Sequence, residues 1–260
     1  MITFSLQSGS NGNCIYVEAG EARLLIDAGI SGKNAEGRMR VHDCPTSDID
    51  ALLISHDHND HVRGAGVFHR KFGVPIWMTR TTHAAVRCNL GQLAGVNYFE
   101  SGQTLQFKDA LVHTIPTPHD AADGVGFIVE HAGKRLGVLT DLGHPFRALQ
   151  EIMHSLDAVY LESNYDPEML RTGHYPKELQ DRISGPHGHL SNDEAADLLR
   201  RASKRLQWVV LSHLSQDNNT PELALETHRK KLGPRFPFFL SPWLPFRIAP
   251  RHHTSEIMSL

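Results

Sequence analysis

Short apolar runs alternate with turn-forming residues along the chain, and the period of each run separates strands from helices. Residues 14–18 and 23–27 read as the two arms of a hairpin around Ala19-Gly20-Glu21-Ala22. Residues 30–50 are polar and glycine-containing and read mostly as loop. Residues 51–55 form a continuous apolar run, the mark of a buried strand. Residues 62–72 carry apolar positions at helical spacing, 75–78 read as a strand and 82–93 as a helix. The second half repeats the alternation, with strands expected at 104–107, 111–115, 126–130, 135–140, 158–162, 208–212 and 236–240. Ser191 followed by Glu194 is a capping box, and Ala195, Leu198, Leu199 and Ala202 continue it as an apolar stripe, so a helix is expected over 191–201. Thr220-Pro221 opens another helix to about 231, with proline at its first position. Residues 251–260 read as a flexible tail. Strand-rich halves with intervening helices, and no Pro/Ser-rich linker, predict a single α/β domain over residues 1–250.

Composition adds little until histidine is counted. The chain has 260 residues, 40% of them apolar and 21% charged, which excludes disorder as the main state. Lys and Arg number 26 against 29 Asp and Glu, so no global positive field exists to hold nucleic acid non-specifically. The exceptional count is 18 histidines. Cys14, Cys44 and Cys88 form no CxxC pair and no disulfide framework, which suits a reducing compartment. No leader pattern opens the chain and no apolar run approaches about 18 residues. A cytoplasmic protein without membrane contact is expected, its oligomeric state left open.

The segment Ser55-His56-Asp57-His58-Asn59-Asp60-His61 follows a buried strand directly. Three imidazoles and two carboxylates so close together are not core material, and nitrogen with oxygen donors suits Zn, Mn or Fe. One hydrolytic ion needs about three protein ligands and an open position. His56, His58, Asp60 and His61 are too many for one ion, so two divalent ions are expected, with further ligands from elsewhere. Three ligand-type residues each cap an apolar strand: His119, Asp141 and His213. In α/β sheets, sites form beyond strand ends.

In order, His56-x-His58-x-Asp60-His61, His119, Asp141 and His213 resemble the metal motifs of the metallo-β-lactamase superfamily, and Asp27 in Leu25-Ile26-Asp27-Ala28-Gly29 resembles its first motif. The resemblance implies an αββα sandwich of two mixed β-sheets flanked by helices. It implies one ion on His56, His58 and His119, a second on Asp60, His61 and His213, Asp141 bridging them, and Asp27 orienting a ligand. Ser8-Gly9-Ser10-Asn11-Gly12-Asn13-Cys14, Leu161-Glu162-Ser163-Asn164-Tyr165-Asp166 and Gly188-His189-Leu190-Ser191-Asn192 are similar to the YycJ/WalJ group, which is associated with exonuclease action on DNA. Tyr165 stands where that group usually has His, and His144 departs from the expected small or aromatic residue. No long insertion of the β-CASP kind lies between Asp141 and His213.

His189 also resembles the late histidine of RNase Z enzymes. It precedes a helix N-terminus, where backbone N–H groups favour an anion. The expected activity is therefore a dinuclear phosphodiester hydrolase, a DNA exonuclease that the resemblance makes 5′-directed, with DNA favoured over RNA. Asp60 would orient the attacking hydroxide and His189 would protonate the leaving oxygen. Asn11, Asn164, Ser191 and Asn192 are expected on the substrate side. The competing expectation is a thioester or lactone hydrolase of the glyoxalase II kind.

Overall fold

The structure is a computed structural model that describes residues 1–202, 205–233 and 246–260. The chain divides into two compact units. The first comprises Met1–Pro116, Ala121–Lys134 and Pro250–Leu260, and the second Thr117–Asp120 and Arg135–Ala249. The strands belong to two seven-stranded mixed sheets.

In the first unit, β1 (Ile2–Gln7), β2 (Cys14–Ala19) and β3 (Ala22–Ile26) are antiparallel neighbours. After β3 comes α1 (Gly32–Arg40), in a stretch expected as loop. Its buried face is only Gly32, Ala35 and Met39, a stripe too sparse to show as apolar periodicity, and Ser31 caps it by accepting from Asn34 N at 3.2 Å. Next come β4 (Ala51–Leu53), α2 (Asn59–Val62), α3 (Ala65–Phe72), β5 (Ile76–Met78), α4 (Arg80–Ala85) and β6 (Asn97–Tyr98). The helix expected over 62–72 is broken at Gly64, whose N–H bonds Ala28 O at 2.8 Å and where a Cβ would meet Ile30 O at 2.2 Å. The helix expected over 82–93 stops at Ala85.

β7 (Thr104–Phe107), β8 (Ala110–Pro116) and β9 (Val125–His131) form an antiparallel meander, also in the first unit. The second unit holds β10 (Lys134–Leu139), α5 (Arg147–Ser155), β11 (Ala158–Glu162), α6 (Pro167–Thr172), α7 (Lys177–Ser184), α8 (Asn192–Arg200), β12 (Trp208–Ser212), α9 (Pro221–Leu232) and β13 (Phe246–Ile248). β10 through β13 pair in parallel, and every position of β11 and β12 is buried, as parallel strands covered on both faces require. The capping box at Ser191 and Glu194 forms as expected. The strand expected at 236–240 lies outside the described residues.

Residues 251–260 do not hang loose. Their β14 (Met258–Ser259) pairs antiparallel with β1, Ser255 N bonds Ser5 O at 2.9 Å, and Leu260 N bonds Met1 O at 2.9 Å.

Candidate metal centre

Each unit carries one set of ligand-type side chains, most of them placed at or just beyond strand ends. In the first unit β4 ends at Leu53, and the chain runs through His56 and His58 into α2, which holds Asp60 and His61. The His56 ring lies 4.7 Å from the His58 ring and 4.1 Å from the His61 ring, centroid to centroid. Asp27, directly after β3, accepts from Ser55 N at 2.8 Å and Ser55 Oγ at 2.9 Å, and its Oδ2 lies 2.7 Å from His61 Nδ1. The Nδ1–H of His61 is thereby committed and its Nε2 lone pair turned to the other side of the ring. Asn13 donates to that Nε2 at 3.0 Å, and its Nδ2 lies 3.4 Å from Asp60 Oδ2. The approach is close because residue 29 is glycine: a Cβ there would meet Asp60 O at 1.6 Å.

In the second unit the donors come from five segments. His119 donates Nδ1–H to Gly188 O at 2.8 Å and points Nε2 toward Asp141 Oδ1, 3.6 Å away. Burial pushes the His119 pKa down, against the pull of Asp141, which keeps the ring neutral as a ligand must be. Asp141 follows β10 and His213 follows β12, with Asp141 Oδ1 3.4 Å from His213 Nδ1. Ligand-type atoms of Asp141, Glu162, His189 and His213 lie within 4.8 Å of one another.

Asp27, Asp141 and His213 share a backbone peculiarity. Their φ angles are 63°, 56° and 55°, in the left-handed region that few non-glycine residues adopt. Each turns the chain sharply at or just beyond its strand end, and such conformations gather at functional sites.

Glu162, the last residue of β11, was not among the expected site residues. It is fully buried. Its Oε1 lies 2.7 Å from His189 Nδ1 and 3.3 Å from His213 Nδ1, while its Oε2 accepts from Leu142 N at 2.9 Å and Leu190 N at 3.2 Å. Burial alone would raise this carboxyl, but His189 and His213 outweigh it and hold it below the usual carboxylate range. The signal was present: a lone acid closing an apolar strand, as Asp27 does in Leu25-Ile26-Asp27.

The residues expected to face substrate make hydrogen bonds within the chain. Ser191 Oγ accepts from Glu194 N and donates to Glu194 Oε2. Asn192 is buried and bonded to Ser163 and Asn219, and Asn164 donates to His213 O at 2.8 Å. Asn11 receives Arg251 on its Oδ1 at 3.1 Å. Tyr165 is buried, and His144 lies 2.6 Å through Nδ1 from Pro186 O.

Imidazoles and carboxylates, largely buried, are the donor chemistry of borderline divalent cations, so both sets fit metal. Such donors at strand ends of an α/β fold mark a metallohydrolase. The beta-lactamase superfamily domain matches residues 22–214. Exodeoxyribonuclease YycJ of Bacillus anthracis is 34% identical over 225 residues, covering 84% of this chain and 84% of the relative. Exodeoxyribonuclease WalJ of Streptococcus pneumoniae is 35% identical over 233 residues, covering 88% and 87%. The crystal structure of the metallo-β-lactamase fold protein YhfI from Bacillus subtilis superposes with a TM-score of 0.71 at 13% identity, over 98% of both chains. The chain belongs to the metallo-β-lactamase superfamily, in the group of YycJ and WalJ.

Proposed function

We propose that the chain is a metal-dependent phosphodiester hydrolase that degrades DNA from an end, in the 5′ direction, in the cytoplasm. The names of its relatives support the substrate, and the free cysteines suit the compartment. The ligand assignment proposed is His56, His58 and His119 for one ion, Asp60, His61 and His213 for a second, with Asp141 shared and Asp27 orienting His61. Zn or Mn fits these donors, with Fe as a third option. Such ions, when bound, supply Lewis-acid polarisation and lower the pKa of water from 15.7 to about 7.

The observation that carries the reading is the His189–Glu162 pair. With Nδ1–H directed at a buried carboxylate 2.7 Å away, His189 keeps Nε2 for proton transfer, and Glu162 fixes the tautomer and orientation of the ring. Asp60 orients the attacking water. His189 gives its proton to the departing sugar oxygen, a poor leaving group that needs one. A thiolate, with a pKa near about 8.5, would leave without that help, so this pair favours phosphodiesters over thioesters.

End-labelled duplex DNA, single-stranded DNA and RNA, incubated with protein and Mn or Zn, test the reading. Stepwise release from the 5′ end of DNA is expected, with two ions per chain by metal analysis, and His58→Ala abolishing turnover. Hydrolysis of an acyl thioester with inert DNA would replace it by the glyoxalase-like alternative.

A further inference from the structure

Three segments of the second unit each deliver one side chain to the acid end of the site. Residues 162–166 bring Glu162, 189–192 bring His189, and 212–220 bring His213. Parallel pairing sets one of these spacings, since Glu162 of β11 lies in register with Ser212 of β12, next to His213; beyond these strand ends the three segments need a further tie.

The geometry points to the amide pair Asn192–Asn219 as the positioning device that sets this spacing. The two side chains bond reciprocally: Asn192 Nδ2 donates to Asn219 Oδ1 at 3.0 Å, and Asn219 Nδ2 donates to Asn192 Oδ1 at 2.9 Å. Asn219 Nδ2 also lies 2.9 Å from Ser163 O and 3.0 Å from Asn164 O, the two residues after Glu162. Its Oδ1 accepts from Thr220 N at 3.0 Å, at the N-cap of α9. Asn192 Oδ1 further accepts from Ser163 Oγ at 2.6 Å. Asn164 then reaches His213 O at 2.8 Å, and its own N–H is tied to Leu190 O at 2.9 Å, next to His189. One pair of amides, 0% and 4% exposed, therefore touches or neighbours all three segments. Both amides spend donors and acceptors on the chain itself. Their role is to hold the Glu162–His189 and Glu162–His213 contacts, not to meet substrate. Buried networks of this kind are costly when broken, because each lost partner strands another polar atom.

This inference rests on His189 acting as the proposed acid, and the test separates the two. Asn219→Ala, Asn192→Ala and His189→Ala are compared on DNA and on bis-p-nitrophenyl phosphate, whose leaving group needs no proton. General acid catalysis contributes roughly 10²–10⁴-fold, so an out-of-place His189 is felt on DNA far more than on the aryl ester. Both asparagine variants should lose roughly tenfold or more on DNA relative to the aryl ester, in the direction of His189→Ala, with metal content per chain retained. In the protein as purified, the downfield imidazole N–H resonance of His189 should shift or broaden. Equal losses on both substrates, where His189→Ala discriminates, would overturn the positioning role. If His189→Ala itself does not discriminate, the acid assignment fails instead. The resonance then decides the amide pair: a change supports it and an unchanged signal overturns it. Should the asparagine variants not fold, Ser163→Ala, which removes one donor to Asn192 and leaves both amides, takes the same readouts with a smaller expected effect.

Discussion

At the scale of single residues, the candidate site depends on groups that orient its ligand-type side chains as much as on those side chains. Asp27 receives Ser55 N–H, Ser55 Oγ–H and the His61 ring within 2.9 Å. Asp27→Asn, which suits the left-handed turn, should leave the fold in place by circular dichroism yet weaken metal binding roughly 10–100-fold in a chelator competition, the usual cost of losing an outer carboxylate behind a ligating histidine, as His61 is proposed to be. Unchanged affinity would mean that His61 needs no orientation. Asp27 was legible from the sequence because it sits in the same strand-end grammar as the ligands. Glu162 obeys that grammar too, yet as the final letter of an apolar strand it reads as a surface acid until the fold buries it beside two imidazoles.

At the scale of elements, α8 shows how directly local chemistry can be read. Ser191 Oγ accepts from Glu194 N while Glu194 Oε2 accepts from Ser191 N at 2.9 Å. Ser191→Ala should cost about 1 kcal/mol in urea unfolding at pH 7, the ordinary value of an N-cap. α1 was illegible for the opposite reason: small and widely spaced buried residues leave no amphipathic trace. α9 carries a buried histidine that no sequence pattern distinguishes. His228 donates Nδ1–H to Ala224 O at 2.8 Å, its Nε2 meets no hydrogen-bond partner among the described residues, and the Phe246 ring lies tilted 5.3 Å away. Burial pushes its pKa from 6.5 down to about 4, against the weaker pull of Asp193 on α8. Below 6.5 the unfolded chain binds a proton that the folded chain refuses, so stability falls as pH drops through this window and levels off below about 4. The loss reaches about 3 kcal/mol at most, at 1.36 kcal/mol per pH unit. His228→Leu should flatten the difference between urea midpoints at pH 7 and pH 4.5; a parallel slope in both proteins would clear His228 of the effect.

At the scale of the whole molecule, the alternation of strands and helices was enough to announce an α/β sandwich, and ordered ligand-type residues at strand ends were enough to announce a cluster compatible with divalent metal. The last ten residues were not legible. Their sequence has no apolar rhythm, and they are held by backbone pairing with β1 and by side chains such as Arg251 and Ser255, which only folding brings near residues 5–11. Removing 251–260 should therefore lower the thermal midpoint, by about 2–4 °C for each kcal/mol lost, and promote aggregation through the bared edge of β1. A midpoint equal to that of the full chain would show these contacts to be idle. The left-handed turns at Asp27, Asp141 and His213 bear on how the protein is dissected genetically. Asparagine and glycine tolerate that geometry, whereas valine or isoleucine does not. Alleles made with the first two change the side chain and spare the scaffold. A random screen for null alleles would return branched replacements at the same codons whose defect is misfolding, and these would be mistaken for catalytic lesions unless soluble yield were scored beside activity.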